Sequence, residues 1–161
     1  MYKTQVTYDD LDGNERTDTL YFRFSESEVQ DMQYSEVGGF ANMLMRIIEA
    51  QDQPTIMKLF KQFILGAYGV KTPDGRGFIK EDPKDGHKLA DDFKQTEAFN
   101  QYYMKMFTDP EEAIKFFNGV FPEKLIKQSN EYVKDNGWTD NPTTQKMLDA
   151  VNARIKNSGN R

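Results

Sequence analysis

The stretch richest in turn-forming and titratable residues is VKTPDGRGFIKEDPKDGH, residues 70–87, with Gly75, Gly77, Gly86, two prolines and the only histidine of the chain. Glycines beside an arginine raise phosphate binding. A phosphate-cradling loop joins a strand to a helix and spaces its glycines as in GxxxxGK[ST]. Here the segment follows a helical pattern and lacks that spacing, and Pro73-Asp74-Gly75 spells a tight turn instead. His87 could act as acid, base or ligand. With no second histidine and no cysteine, a metal site would need carboxylates for its other ligands, and His87 reads as an exposed loop residue. DDLDGNE at 9–15 invites comparison with a calcium loop, but its glycine comes too early for D-x-[DN]-x-[DN]-G. The carboxylate pairs Asp91/Asp92 and Glu111/Glu112 are adjacent in sequence, so on a helix they point ~100° apart and do not face one substrate. They read as solvated helix starts. No serine is framed as G-x-S-x-G. Enzyme activity, a cofactor and a metal are therefore not expected, and no catalytic, cofactor-binding or metal-ligating residue is assigned.

The elements that would carry these residues begin with two runs of period two. KTQVTY places Thr4, Val6 and Tyr8 on one side, and TDTLYFRF places Leu20, Phe22 and Phe24 on one face. With a turn-rich segment between them they predict an antiparallel hairpin, whose apolar face needs helices to pack on. Ser25 and Glu28 form a capping-box pattern for a short helix over 26–33. Phe40, Met43, Leu44, Ile47 and Ile48 fall on one helical face. A further helix starts at Asp52 or Gln53 with Pro54 in its first turn. Its stripe is Ile56, Leu59, Phe60, Phe63, Ile64 and Ala67, widened by Met57, Leu65 and Tyr68, and Gly69 reads as its stop. Residues 89–94 predict a short helical turn. Thr96 caps a helix through Phe107, and Asp109 caps another that begins at Pro110, carries Ile114 and Phe117, and stops at Gly119. Residues 122–134 and a last segment bearing Met147, Leu148, Val151 and Ile155 complete the set.

The 161 residues suit one ordinary domain. The expected class is mainly α within α+β: an N-terminal β-hairpin packed on a bundle of about five to six helices. The expected boundary separates a core domain, 1–122, from a C-terminal helical extension, 123–161. The formal charge is −5 and uneven, with four basic and eleven acidic residues in 1–53. An acidic front half repels phosphate backbones, so nucleic acid is not an expected partner. No stretch approaches the ~20 apolar residues of a membrane span, and no basic region precedes an apolar run at the N-terminus. No membrane association is expected. Absent cysteines fit a reducing compartment. Residues 146–161 carry four bases against one acid, which reads as a frayed helix end or a contact for an acidic partner. Trp138, in DNGWTDNP, reads as packed on the domain or as a partner anchor. Eight methionines and twelve phenylalanines supply wide apolar stripes, read as core or as an adaptable groove.

The segments VGGFANMLMRIIEAQDQPTIMKLFKQFILGAYGVKTPDGRGFIK and FKQTEAFNQYYMKMFTDPEEAIKFFNGVFP resemble the tail assembly chaperones of long-tailed bacteriophages. The most specific pieces are AQDQ, ILGAYGVKTPDGRGFIK, QTEAFNQYYMKMFTD and FFNGVFP, and the resemblance runs from the hairpin to about Pro122. It implies a helical, non-enzymatic protein in the host cell cytoplasm. Such a protein binds the phage tape-measure protein, keeps it soluble, and is absent from the mature virion. The tail tube protein and self-association stay open as further contacts. A permanent virion component, such as a head–tail joining or tail-completion protein, is the alternative. Because the match includes GRGFIK, it implies a partner-contact role for Arg76, Phe78 and Lys80. The run 70–87 is then a connector between helical hairpins, pinned by Phe78 and Ile79.

Overall fold

The alternating runs fold into strands β1 (Tyr2–Asp9) and β2 (Glu15–Phe22), paired antiparallel so that Tyr2 faces Phe22, Thr4 faces Leu20 and Asp9 faces Glu15. The structure is a computed structural model that describes residues 1–35 and 53–123. Asp10 builds the turn between the strands. Its Oδ1 accepts from the amides of Asp12 (3.0 Å) and Asn14 (2.9 Å), and its Oδ2 accepts from Arg16 Nε at 2.8 Å. Gly13 takes φ +81° there, a conformation that costs glycine nothing. The Asn14 amide, followed by the Arg16 guanidinium, holds the Asp10 carboxyl below the usual carboxylate range.

Helix α1 (Glu26–Ser35) opens on the predicted capping box: the Glu28 amide donates to Ser25 Oγ (3.2 Å), and the Ser25 amide donates back to Glu28 Oε2 (2.7 Å). Helix α2 (Gln53–Ala67) carries Pro54 in its first turn and buries Phe63, Ile64 and Ala67. It passes directly into strand β3 (Tyr68–Lys71), followed by β4 (Phe78–Ile79). Helices α3 (Leu89–Phe93), α4 (Glu97–Thr108) and α5 (Pro110–Val120) follow. Thr96 Oγ1 accepts from the Phe99 amide at 3.1 Å, and Asp109 Oδ1 accepts from the amides of Glu111 (3.1 Å) and Glu112 (3.2 Å). Both caps satisfy amides that a helix start leaves without internal partners.

The class is mixed α+β, with five helices among the described residues. The expected hairpin is half of a larger element: the four strands form one antiparallel sheet in the order β1-β2-β3-β4. The connector expected over 70–87 is corrected accordingly. It is a strand pair, with Val70 opposite Ile79 and Lys71 opposite Phe78, followed by a second reversal closed by the Glu81–Lys88 bridge. Tyr68 belongs to the sheet, not to the helical stripe, and Gly69 is a strand residue instead of a helix stop. A Cβ on Gly69 would lie 2.5 Å from the Phe78 ring and 2.6 Å from the Ile79 carbonyl oxygen, so glycine permits the approach of β4.

The described residues fall into two compact units. One comprises Met1–Phe24 and Met57–Val120; the other includes, of the described residues, 25–35, 53–56 and 121–123. In the first, α4 and α5 cover β1 while α3 lies on β3. The core there is aromatic. Phe22 is fully buried, stacks on Tyr102 (5.1 Å between centroids) and meets Phe116 edge-on at 5.3 Å. Tyr68 stacks on Phe93 at 3.9 Å, and Phe60 packs against Phe107 and Phe117. Offset and edge-on rings of this kind add to the burial of their large surfaces. The helix expected around Phe40–Ile48, the extension over 123–161 that carries Trp138, and the expected boundary at Pro122 turn on residues almost wholly outside those described.

Candidate functional site

Residues paired across antiparallel strands share a face, so the register sorts the side chains of the sheet. Tyr2, Thr4, Val6, Leu20, Phe22 and Tyr68 face the helices. Lys3, Tyr21, Lys71 and Phe78 lie on the opposite face. Arg23 follows Phe22 by one residue and continues the ladder, its amide donating to the Ala67 carbonyl at 2.8 Å. Alternation therefore places it on the outer face as well.

At one end of that face a shallow cleft of about 290 Å³ is lined by Met1, Arg23, Lys71, Gly75, Arg76, Gly77 and Phe78. No acidic residue among those described lines it. Arg23, Lys71 and Arg76 are exposed, and none has an ion-pair partner among the described residues. Lys3 stands nearby on the same face with its ammonium 6.0 Å from the Tyr21 ring centroid. A tight turn sets the position of Arg76. Thr72 N donates to the Gly77 carbonyl (2.9 Å), Thr72 Oγ1 accepts from the Gly77 amide (2.9 Å), and Gly75 takes φ +74°. Asp74, the acid nearest in sequence, is committed to the turn: its Oδ1 accepts from Thr72 Oγ1 (2.6 Å) and from the Arg76 amide (3.1 Å). The Thr72 hydroxyl, and then that amide, pull the Asp74 carboxyl below its ordinary range.

Of the residues the sequence singles out, Arg76 and Phe78 come together in this cleft. Lys80 is engaged elsewhere: its Nζ donates to the Gly66 carbonyl at 2.8 Å and lies 4.8 Å from the Phe24 ring centroid, fastening the end of α2. Trp138 lies outside the described residues. Sequence reasoning missed Arg23 and Lys71. The signal for Arg23 was its parity, one residue out of phase with the buried Phe22 and Phe24.

Three other places gather polar groups. Glu112, read from sequence as a solvated helix start, is buried at 6% exposure, while Glu111 is exposed. Its Oε1 accepts from Tyr2 OH (2.5 Å), Thr4 Oγ1 (3.3 Å) and Tyr102 OH (3.4 Å), and its Oε2 lies 3.9 Å from Lys105 Nζ. The correction has a tertiary cause, because Tyr2 and Thr4 arrive from β1, more than 100 residues away in sequence. Burial, with the adjacent carboxylate, pushes both tyrosine hydroxyls far up, so they remain protonated donors. The second place is His87, whose Nε2 is 2.7 Å from Asp92 Oδ2; both side chains are exposed. The third is a cleft of about 370 Å³ between the sheet and α3, lined by Leu20, Tyr68, Val70 and Phe93 with Asp18 and Asp92 at its rim. No serine, cysteine or histidine among the described residues lines that cleft. Among the described residues no group of three or more His, Cys, Asp or Glu is placed to hold a metal ion. No helix among them is long and apolar enough to cross a membrane.

The arrangement suits contact chemistry. Cations stand at the end of the sheet and on the turn beside it, next to an aromatic ring, and the buried polar cluster ties a strand to two helices. No curated protein and no solved structure is significantly similar to the chain. A family model described as phage tail assembly chaperone matches residues 1–159. That description implies a non-enzymatic role in assembling phage tails. By this match across nearly its whole length, the chain belongs to the phage tail assembly chaperone family.

Proposed function

We propose that the protein binds the phage tape-measure protein and keeps it soluble during tail morphogenesis. It acts in the host cell cytoplasm and leaves before the virion matures. The observation that carries this reading is the family match over residues 1–159. The physical need is plain: a long helical client with apolar stripes aggregates if those stripes stay bare. A partner with a net charge of −5 helps keep such a complex dispersed. In this reading residues 1–122 form the binding core and 123–161 a helical extension. Arg76 and Phe78 touch the client, Lys80 braces the strand that carries Phe78, and Trp138 supplies a second anchor.

Co-expression with the tape-measure protein of the same phage tests the proposal. The tape-measure protein is expected to move into the soluble fraction and to co-purify with the chain. No gain in solubility and no complex overturn the reading. Mass spectrometry of purified particles supplies the second arm: stoichiometric presence in mature virions replaces the chaperone reading with a head–tail joining or tail-completion role.

A further inference from the structure

We infer that the cleft on the outer face of the sheet is the seat for an acidic segment of the client, one apolar side chain resting on Met1 and Phe78 with carboxylates beside it reaching Arg23, Lys71 and Arg76. The inference rests on the reading of the chain as a binder of a tail protein, and it names the chemistry of what is bound.

Charge supplies the first support. The chain has 26 acidic residues against 21 basic ones, yet three cations line the cleft and no acid among the described residues does. Elsewhere in the same unit cations are engaged: Arg16 with Asp10, Lys105 near Glu112, Lys80 on the Gly66 carbonyl. Preorganisation is the second. Lys71 projects from β3, Arg23 from the residue that follows β2 with its amide bonded to the Ala67 carbonyl, and Arg76 from a hydrogen-bonded turn, so little backbone freedom is lost when an anion is bound. Shape is the third. A volume of about 290 Å³ lies at the low end for ligand sites and suits a single anchoring side chain. Two guanidiniums beside it match carboxylates in a forked geometry. A nucleic acid, whose bases could stack on Phe78, fits less well because its many phosphates meet a chain whose overall charge is negative.

The probe is a fluorescein-labelled synthetic helical peptide with glutamates one turn apart around a single phenylalanine, titrated by anisotropy at low and at moderate salt. Controls are the same peptide with glutamine for glutamate, and a single-stranded oligonucleotide. The wild-type chain is expected to bind the acidic peptide, more weakly as salt rises. Arg23→Glu/Lys71→Glu/Arg76→Glu is expected to lose about tenfold or more in affinity. Lys58→Glu/Lys94→Glu/Lys115→Glu, which changes net charge equally at exposed positions elsewhere, is expected to bind as wild type. Circular dichroism checks the fold of each variant, and Arg23→Gln/Lys71→Gln/Arg76→Gln replaces the reversal variant if that one unfolds. Equal binding by a folded cleft variant, equal binding of the glutamine peptide, or tighter binding of the oligonucleotide each overturns the inference. Co-expression separates the two proposals. If the tape-measure protein co-purifies equally with wild type and the cleft variant, the cleft assignment fails and the chaperone reading stands. If it does not co-purify with wild type, the chaperone reading fails and the peptide titration alone decides the cleft.

Discussion

Removing the Glu112 carboxylate perturbs the first unit where a polar cluster, instead of apolar packing, joins strand to helix. Three hydroxyls converge on Oε1, and the shortest contact, from Tyr2, is a charge-assisted bond. Glu112→Ala deletes that acceptor and leaves the Tyr102 hydroxyl, fully buried, without it. A lost bond to a charged group is worth about 1.5–3 kcal/mol, and a stranded buried donor costs about 1–3 kcal/mol more. Tyr2 is only half-buried, so water replaces part of its loss. The expected destabilisation is about 3–4 kcal/mol, a large share of the ~5–15 kcal/mol typical of a domain. Glu112→Gln keeps the shape and one acceptor, so about 1–2 kcal/mol is expected. Replacing the acceptor and its two tyrosine donors by apolar groups of similar volume, Tyr2→Phe/Tyr102→Phe/Glu112→Leu, leaves only the part-buried Thr4 hydroxyl of the three and is expected within about 1 kcal/mol of wild type. Urea unfolding followed by far-UV circular dichroism measures all three. The reasoning is refuted if Glu112→Ala costs under about 1 kcal/mol, or if the triple apolar variant is as unstable as Glu112→Ala, since packing alone would then explain the loss.

Three further outcomes follow from the geometry. Gly69→Ala drives a Cβ to 2.6 Å from the Ile79 carbonyl oxygen, a backbone atom that cannot rotate away, and is expected to cost about 2 kcal/mol or more in thermal or urea unfolding; a wild-type midpoint would show β4 displaced at no cost. Burial raises the Tyr102 pKa above its ordinary value of 10.0, so its contribution is complete below pH 10 and declines as pH rises beyond it; stability measured above pH 10 is expected to fall by up to about 1.4 kcal/mol per pH unit for this group, and Tyr102→Phe to flatten that slope. Ser25→Ala breaks one arm of the α1 capping box and is expected to cost about 1 kcal/mol, read as a lower urea midpoint at unchanged slope.

How much of this was legible in the sequence depended on how far each signal reached along the chain. The β1–β2 hairpin was legible because each strand has eight residues, long enough for alternation to declare itself. The caps at Ser25, Thr96 and Asp109 were legible because a cap is written within four residues. Strands β3 and β4 were not: four and two residues give no usable period, and Tyr68 continued the stripe of the preceding helix. What ends α2 is the pairing of Tyr21 with Gly69 and Phe22 with Tyr68, a long-range fact. Glu112 misled for a related reason. An acid in the first turn of a helix is favoured by the helix dipole whether exposed or buried, and only β1 decides which.

The glycine-rich run at 70–87 joins these threads. Its glycines look like a ligand loop, but Gly75 and Gly86 sit at positive φ inside two successive reversals, and the Thr72 and Asp82 amides each bond five residues ahead. The first reversal spends Asp74 on backbone geometry and leaves the Arg76 side chain outside the turn's hydrogen bonds. The register then places Lys71 opposite Phe78 on the face away from the helices. Had β3 slipped by one residue, Lys71 would meet the aromatic core and Tyr68 would meet water, so burial of the Tyr68–Phe93 stack fixes which cations face outward. The aromatic side of the sheet thus determines the chemistry of its other side: the residues that secure the fold orient the residues available to a partner.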